Sequence, residues 1–361
     1  MPAPVAFKGL IEVDGHRIGA GQPTFIVAEM SGNHHQSFDR AVDLVKAAKA
    51  IGADAIKLQT YTPDTITLNS RRADFQIPED SNWAGRSLHE LYGEAYTPWE
   101  WQPRLKELAN RLGLVLFSSP FDPSAVDFLE GMKVPAYKIA SFELVDIPLI
   151  ERVARTGKPV IMSTGMASLE EIGEAVQAAR RAGCDQLALL KCTSAYPAPP
   201  EEMNLLSILC LAERFGVPVG LSDHTLDPAV PVAAVALGAA IVEKHLIMSR
   251  AEGGPDAAFS LEPDEFREVV RAIRTVELAC GTGEPALTAG EAKNRVFRRS
   301  LYVVDDMRGG DPFTETNVRS IRPAYGLSPR ELPRVLGRRA VRDISRGTPL
   351  TWELIAGGGG P

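Results

Sequence analysis

The chain has 361 residues, of which 45% are hydrophobic and 24% are charged, and its formal net charge at pH 7 is -7. A chain of this size and composition is expected to form one large globular domain and a smaller one. The acidic balance argues against a general nucleic-acid-binding protein, because a phosphate backbone requires an excess of Lys and Arg. The absence of a long apolar run and of a leader-like N-terminus predicts a cytoplasmic protein without a membrane partner.

The first predicted element is a hairpin over residues 8–20, which turns at Asp14-Gly15 and could plug one end of the domain that follows. After it, short apolar runs typical of strands alternate with longer helical patterns. The eight predicted strands are Thr24–Ala28, Ala53–Leu58, Leu114–Ser118, Ala136–Ala140, Pro159–Ser163, Leu187–Lys191, Val217–Leu221 and Ala240–Lys244. Eight such units predict a (β/α)8 TIM barrel over residues 1–283. A doubly wound open sheet is the alternative, but no Gly-x-Gly-x-x-Gly turn follows the first strand.

Two regions do not follow this alternation of strands and helices. The connection from Tyr61 to Tyr96 has little periodicity, and a loop of that length within a compact domain is usually functional, often a lid. Residues 284–297 are polar and indicate a linker. Residues 298–356 then predict a small β-rich domain, with strand-like runs at Leu301–Val304 and Thr348–Trp352.

Polar and ionisable residues end every predicted barrel strand, whereas the strand bodies are apolar. Active sites of (β/α)8 barrels lie at this rim. Lys57 and Lys138 supply positive charge there and several hydroxyl groups supply directed hydrogen bonds, which suits a small anion with both phosphate and carboxylate groups. The hydroxyl groups belong to Ser119, Ser141, Ser163, Ser194 and Ser222.

His224 and His245 end neighbouring strands, so their imidazoles can share one divalent ion and leave its other positions to water and substrate. Glu29 ends the first strand and can serve as a further ligand, a base or an acid. Asp256 lies in a turn after the eighth strand and is a candidate for binding sugar hydroxyl or amide groups.

Three other interpretations fit parts of this pattern. A Schiff-base pyruvate aldolase would use Lys57 or Lys138 as nucleophile and would need no metal. A metallohydrolase would usually carry His-x-His on its first strand, which here ends in Glu29. A barrel that only carries the small domain would not require polar residues at all eight strand ends.

Motifs at the strand ends resemble, in order and spacing, those of the sialic acid synthase family. They are Ala28-Glu-Met-Ser-Gly-Asn-His34, Lys57-Leu-Gln-Thr60, Tyr137-Lys-Ile-Ala-Ser141, Ser163-Thr-Gly-Met166, Gly220-Leu-Ser-Asp-His224 and Glu243-Lys-His245. The C-terminal segment resembles that family's antifreeze-like (SAF) domain at Arg319-Ser-Ile-Arg-Pro323 and Leu336-Gly-Arg-Arg339.

Further segments resemble the branch of the family that forms pseudaminic acid. They are Asn33-His-His-Gln-Ser37, Thr60-Tyr-Thr-Pro-Asp-Thr65, Ala95-Tyr-Thr-Pro-Trp-Glu-Trp101 and Lys191-Cys-Thr-Ser-Ala-Tyr-Pro197. At Gln36 and Ser194 the sequence differs from the motifs of the N-acetylneuraminate and legionaminate branches. His35 and Leu246-Ile-Met248 depart from the pseudaminate pattern.

The resemblance implies a condensation of phosphoenolpyruvate with 2,4-diacetamido-2,4,6-trideoxy-L-altrose that gives pseudaminic acid and phosphate. An N-acetylneuraminate or legionaminate synthase that uses another amino sugar is the alternative. The family also implies a domain-swapped homodimer, in which Arg322 of one chain contacts the sugar bound in the other chain's barrel.

The resemblance also assigns roles to the residues at the strand ends. It implies that Glu29, Lys57 and Lys138 are catalytic, and that His224 and His245 bind a divalent metal, with Mn2+ preferred and Mg2+ or Co2+ as alternatives. The remaining implied contacts are Lys57, Ser119, Lys138 and Ser141 to the phosphate, Ser163, Ser194 and Ser222 to the carboxylate, and Gln59, Tyr196 and Asp256 to the sugar.

Overall fold

The structure is a computed structural model that describes residues 9–79, 83–281 and 283–358, so residue 8 of the predicted hairpin lies outside the described residues. The chain divides into two compact units, Met1–Gly283 and Glu284–Pro361. Within the described ranges, no helix is long and apolar enough to cross a lipid bilayer.

In the described part of the first unit, eight parallel strands close into a barrel, and a two-stranded antiparallel hairpin precedes it. The hairpin strands are β1 (Leu10–Val13) and β2 (His16–Gly19), and the barrel strands are β3 (Phe25–Glu29), β4 (Ala55–Thr60), β5 (Val115–Pro120), β6 (Tyr137–Ile139), β7 (Val160–Ser163), β8 (Leu187–Cys192), β9 (Val219–Asp223) and β10 (Ile241–His245). Strand β10 pairs with β3 and closes the ring. The predicted TIM barrel is therefore confirmed.

Helices alternate with the barrel strands. They are α1 (Phe38–Ala50), α2 (Pro63–Ile66), α3 (Leu88–Ala95), α4 (Gln102–Leu112), α5 (Pro123–Gly131), α6 (Ile147–Ala154), α7 (Leu169–Arg181), α8 (Ser207–Phe215), α9 (Ala229–Ala236) and α10 (Pro263–Cys280). Helix α7 begins with a capping box, in which Ser168 accepts from the Glu171 N–H and the Glu171 side chain returns to Ser168. Gly113 and Gly216 end α4 and α8 at φ +63° and +64°, a left-handed conformation that favours glycine.

The hairpin closes the N-terminal end of the barrel. Its apolar residues Ile11, Val13 and Ile18 are buried in one cluster with Phe25 and Phe117 from the barrel strands. Because successive strand residues point to opposite faces, these barrel side chains fill the interior below the rim. The opposite end, where the polar strand ends gather, is left for a site.

The long connection after β4 is built from short elements. Thr62 caps α2, and Ser87 caps α3 with a capping box. Between them, Gln76 and Ser87 form an antiparallel bridge. The lack of periodicity in the sequence follows from this succession of short pieces, none of which is long enough to show a repeat.

The described part of the second unit has its own apolar core and its own secondary structure. Its helices and strands are α11 (Ala289–Asn294), β11 (Ser300–Val303), β12 (Val318–Ile321) and α12 (Leu332–Val335). The strand predicted at Thr348–Trp352 is wrong. That segment makes an isolated bridge between Tyr302 and Pro349 and then a 3-10 turn at Trp352–Leu354. The bridge is flanked by hydrogen bonds from the Val303 N–H to the Thr348 carbonyl and from the Leu350 N–H to the Leu301 carbonyl.

Candidate active site

A cavity of about 360 Å³ opens at the C-terminal ends of the barrel strands, within the size range of small-molecule sites. The predicted site residues that line it are Glu29, Lys57, Gln59, Lys138, Ser141, Ser163, Tyr196, Ser222, His224, His245 and Asp256. Ser119 and Ser194 lie behind this surface, where Ser119 contacts Lys57 and Ser194 lies against Gly165. Arg322 is an exposed residue of the second unit.

Strand alternation selects which polar residues enter the cavity. On β10, Glu243 and His245 line the cavity, whereas Lys244 between them pairs with Asp223 of β9. The sequence analysis gave Glu243 no role. The two-residue period that places it on the same face as His245 is the signal that would have found it.

Two lysines and two carboxylates form a buried ionic cluster in the cavity. Lys57 Nζ lies 2.5 Å from Glu29 Oε2 and 3.7 Å from Glu243 Oε1, and Lys138 Nζ lies 2.9 Å from the same oxygen of Glu243. Burial favours the neutral form of Glu243, but the two ammonium groups outweigh it and hold its pKa below the usual value. Glu29 differs, because burial raises its pKa even though Lys57 opposes the effect.

Hydroxyl groups surround this cluster and leave donors for a ligand. Ser163 Oγ is buried and has no hydrogen-bond partner, which makes it available to an anion. Ser141 Oγ accepts from the Gly165 N–H at 3.1 Å. A Cβ atom at Gly165 would lie 2.2 Å from Ser194 Oγ and 2.7 Å from Ser141 Oγ, so the glycine is what allows these two hydroxyl groups to approach each other.

The two histidines face each other with ring centroids 5.3 Å apart. His224 Nδ1–H donates to the Thr193 carbonyl at 3.0 Å, and the ring is also hydrogen-bonded to the Cys192 side chain. Burial disfavours the charged ring, but the contact with Cys192 outweighs burial and raises the pKa of His224. His245 Nδ1 is buried without a hydrogen-bond partner. Burial and then the nearby charge of His224 hold the pKa of His245 well below its usual value, so the ring is the neutral form that a metal requires.

These features fit a divalent ion, which His224 and His245 would hold through ring nitrogens. Among the residues that the structure describes, no group of three or more His, Cys, Asp or Glu side chains is arranged to hold a metal. Two imidazoles alone would leave most coordination positions to water and substrate, as a catalytic rather than structural site requires.

The side of the cavity beyond the histidines combines polar groups with aromatic rings. Gln59 Nε2 donates to Glu29 Oε1 at 3.1 Å, and Asp256 accepts a hydrogen bond from Ser31 Oγ. The Tyr196 ring lies 4.5 Å from that of His224 and 5.8 Å from that of Trp83. An apolar wall continues through residues of the long connection, namely Ile66, Trp83, Leu91 and Tyr92.

Glu143 also lines the cavity and was absent from the predicted site. Its Oε2 is buried without a hydrogen-bond partner, and burial raises its pKa from 4.5 to about 7. It lies in a 3-10 turn two residues after Ser141, outside any strand. A loop carboxylate gives no periodic signal, so the sequence offered no way to separate it from a solvated surface charge.

Both parts of the chain match known protein families. Residues 44–285 match the NeuB family and residues 298–356 match the SAF domain. The chain is 45% identical to the pseudaminic acid synthase of Helicobacter pylori, over 92% of this chain and 98% of that protein. It is 46% identical to the pseudaminic acid synthase of Campylobacter jejuni, over 90% and 95%.

Among solved structures, the spore coat polysaccharide biosynthesis protein spsE of Bacillus subtilis matches with a TM-score of 0.66 and 33% identity, covering 96% of this chain and 99% of that chain. The chain belongs to the NeuB family and carries a C-terminal SAF domain. The resemblance to the sialic acid synthase family is thereby confirmed.

Proposed function

We propose that this chain is a cytoplasmic, metal-dependent synthase that condenses phosphoenolpyruvate with 2,4-diacetamido-2,4,6-trideoxy-L-altrose to give pseudaminic acid and phosphate. The observation that carries the proposal is one cavity that combines two buried lysines, several hydroxyl groups and a pair of histidines. The 45% identity to a pseudaminic acid synthase over 92% of the chain supports the choice of sugar.

Phosphoenolpyruvate fits the ionic cluster. Lys57, Lys138 and Ser141 would hold its phosphate, with Ser119 behind Lys57, and Ser163 and Ser222 would hold its carboxylate, with Ser194 behind them. In the structure Glu243 lies within ion-pair distance of both lysines, so an anionic substrate would compete with this carboxylate for the ammonium groups. Hydrogen bonds to ionised groups are stronger than those between neutral groups, and a phosphate offers more acceptor oxygens than Glu243.

His224 and His245 would hold the metal, for which Mn2+ is preferred and Mg2+ or Co2+ would fit the same donors. A bound divalent ion supplies Lewis-acid polarisation of the sugar aldehyde. Gln59, Tyr196 and Asp256 would orient the open-chain sugar by its hydroxyl and amide groups. The apolar wall suits the methyl group at the far end of a 6-deoxy sugar.

The methylene carbon of phosphoenolpyruvate forms a bond to the aldehyde carbon, and the aldehyde oxygen takes up a proton. Water adds to the resulting oxocarbenium carbon and loses one proton, which balances the proton taken up by the aldehyde oxygen. The C–O bond to phosphate then breaks, and the remaining hydroxyl proton passes to the departing phosphate to leave a ketone. Glu29 would carry a proton of the water or of the new hydroxyl group, because burial raises its pKa and so favours a carboxyl group that can hold a proton. Alignment of two substrates in one cavity supplies up to about 7–11 kcal/mol of the barrier reduction.

Release of phosphate from phosphoenolpyruvate tests this function directly. We expect turnover with the diacetamido sugar to be abolished by a chelator and by His224→Ala or His245→Ala, and to exceed turnover with N-acetylmannosamine. Full activity in chelator would contradict the metal, and a higher kcat/KM with N-acetylmannosamine would move the protein to the neighbouring branch. Inactivation by borohydride in the presence of pyruvate would instead indicate a Schiff-base aldolase.

A further inference from the structure

Outside the cavity, a buried ion pair joins the two strands that carry the histidines. Asp223 ends β9 and immediately precedes His224, and Lys244 immediately precedes His245 on β10. The two residues are register partners in the parallel pair of strands. Lys244 Nζ donates to Asp223 Oδ2 at 2.6 Å, and each residue is only 1% exposed.

The same pair also holds the residue that follows His224. Lys244 Nζ donates to the Thr225 carbonyl at 2.6 Å. Asp223 accepts from the Thr225 N–H at 2.9 Å and from its hydroxyl group at 3.2 Å. Both neighbours of His224 in the chain are therefore attached to a side chain that sits next to His245, so the two histidines cannot move apart without breaking this network.

Stability alone does not account for such a pair. Removing two charges from water costs about as much free energy as their attraction returns, and apolar residues of similar volume often replace a buried ion pair without loss of stability. Neither Asp223 nor Lys244 lines the cavity. What the pair does provide is a fixed register between the ends of β9 and β10, and hence a fixed separation of the imidazoles.

We propose that Asp223 and Lys244 are positioning residues that set the separation of His224 and His245 for one divalent ion. The proposal rests on the metal site of the proposed function. Replacing a residue that hydrogen-bonds to and orients a metal ligand typically weakens metal binding about 10- to 100-fold.

Binding of Mn2+ to the full-length protein without substrate tests the proposal, with free Mn2+ followed by electron paramagnetic resonance. We expect the apolar double variant D223L/K244M to fold cooperatively and to bind Mn2+ about 10- to 100-fold more weakly than wild type. The matched control is T60V/S118A, which removes a buried hydroxyl–hydroxyl contact of 2.6 Å between β4 and β5, away from the histidines. The control should keep wild-type Mn2+ affinity.

If D223L/K244M does not fold, the smaller change D223N/K244M takes its place, with an expected loss of about tenfold or more. Mn2+ affinity within twofold of wild type in either folded variant overturns the proposal. So does an equal loss in T60V/S118A, or a failure of both pair variants to fold, which would assign the pair to the fold. If wild type itself does not bind Mn2+, the metal site of the proposed function fails together with this inference.

Discussion

Glu243 gives the two cavity lysines a counterion that a substrate has to replace. Its carboxylate lies within 4 Å of both ammonium groups, and Ser222 Oγ donates to it at 3.3 Å. The two lysines are therefore buried and held in place before any substrate binds. Such preorganisation reduces the reorganisation required when an anion enters.

Replacement of Lys138 by Met should weaken phosphoenolpyruvate binding with little effect on the sugar. We expect KM for phosphoenolpyruvate to rise roughly 10- to 100-fold, the range of one hydrogen bond to a charged group. Lys191→Met is the matched control, because Lys191 also lies in a barrel strand but donates to the Cys192 carbonyl and to Thr193, and it does not line the cavity. Steady-state kinetics with each substrate varied separately would decide, and an equal change in both variants would contradict the assignment.

Glu143 should make stability depend on pH. Because burial raises its pKa from 4.5 to about 7, the folded state holds a proton that the unfolded chain releases between these values. Its contribution to the free energy of unfolding is complete below pH 4.5 and is lost as the pH rises to about 7. We expect Glu143→Gln, which cannot ionise, to gain stability over wild type from pH 5 to 8.

Urea denaturation at several pH values measures this difference. The exposed Glu213→Gln on α8 is the control and should follow the wild-type curve. If the difference in free energy of unfolding between Glu143→Gln and wild type stays constant from pH 5 to 8, Glu143 is ionised over that whole range and the prediction is wrong.

At the scale of elements, the long connection between β4 and α4 forms one wall of the cavity. Trp83 donates to the Pro255 carbonyl at 2.6 Å and so joins the connection to the loop after β10. Its ring neighbours Tyr196, which in turn neighbours His224. An aldehyde carbon held near the histidines would place the sixth carbon of an extended sugar about 6 Å further along. We expect that carbon to lie at the Trp83 end of the cavity, because Tyr196 and Trp83 follow His224 in a row of neighbouring rings.

Trp83→Ala should therefore reduce discrimination between sugars. A methyl group in an apolar pocket contributes about 1–3 kcal/mol to specificity, so kcat/KM for the 6-deoxy sugar should fall about tenfold or more relative to N-acetylmannosamine. Trp83→Phe keeps an apolar ring and should retain most of the preference. Parallel losses for both sugars in Trp83→Ala would mean that the ring only supports the fold of the connection.

Predicted and observed strands show why the sequence was informative about this rim. The strand predicted at Val217–Leu221 is observed at Val219–Asp223, and that predicted at Thr24–Ala28 is observed at Phe25–Glu29. Each predicted strand ended with the last apolar residue. The observed strands continue into the polar residues that follow, to Asp223 in β9 and to Glu29 in β3. Barrel topology then gathers these ends. Contacts across the barrel, such as Glu243 with both lysines, depend on distances that no local pattern contains.

At the scale of the whole molecule, charge is divided unevenly between the two parts of the chain. Residues 298–356 contain eleven Arg, no Lys and seven acidic residues, a net charge of +4, whereas residues 1–297 carry -11. Opposite net charges favour association of one part with the other, whether within a chain or between chains.

The barrel rim also exposes apolar side chains. Phe142, Val145, Met166 and Leu206 are each at least 60% exposed in the loops that follow β6, β7 and β8. Apolar groups exposed together on a rim mark a surface that a partner covers. We expect the partner to be a second copy of this chain, because its basic small unit has the charge opposite to that of the barrel unit.

We therefore expect a homodimer in which Arg322 completes the site of the other chain. Within the described residues, the lining of the cavity includes no arginine, and a guanidinium group would suit a sugar N-acyl oxygen. Mixing Arg322→Ala with His224→Ala chains under conditions of subunit exchange tests this arrangement. In a swapped heterodimer, the barrel with intact His224 receives Arg322 from the His224→Ala chain, so roughly a quarter of wild-type activity should return in an equal mixture. If Arg322 acted within its own chain, every site in the mixture would lack one of the two residues. Verified exchange without recovery of activity would then exclude action between chains.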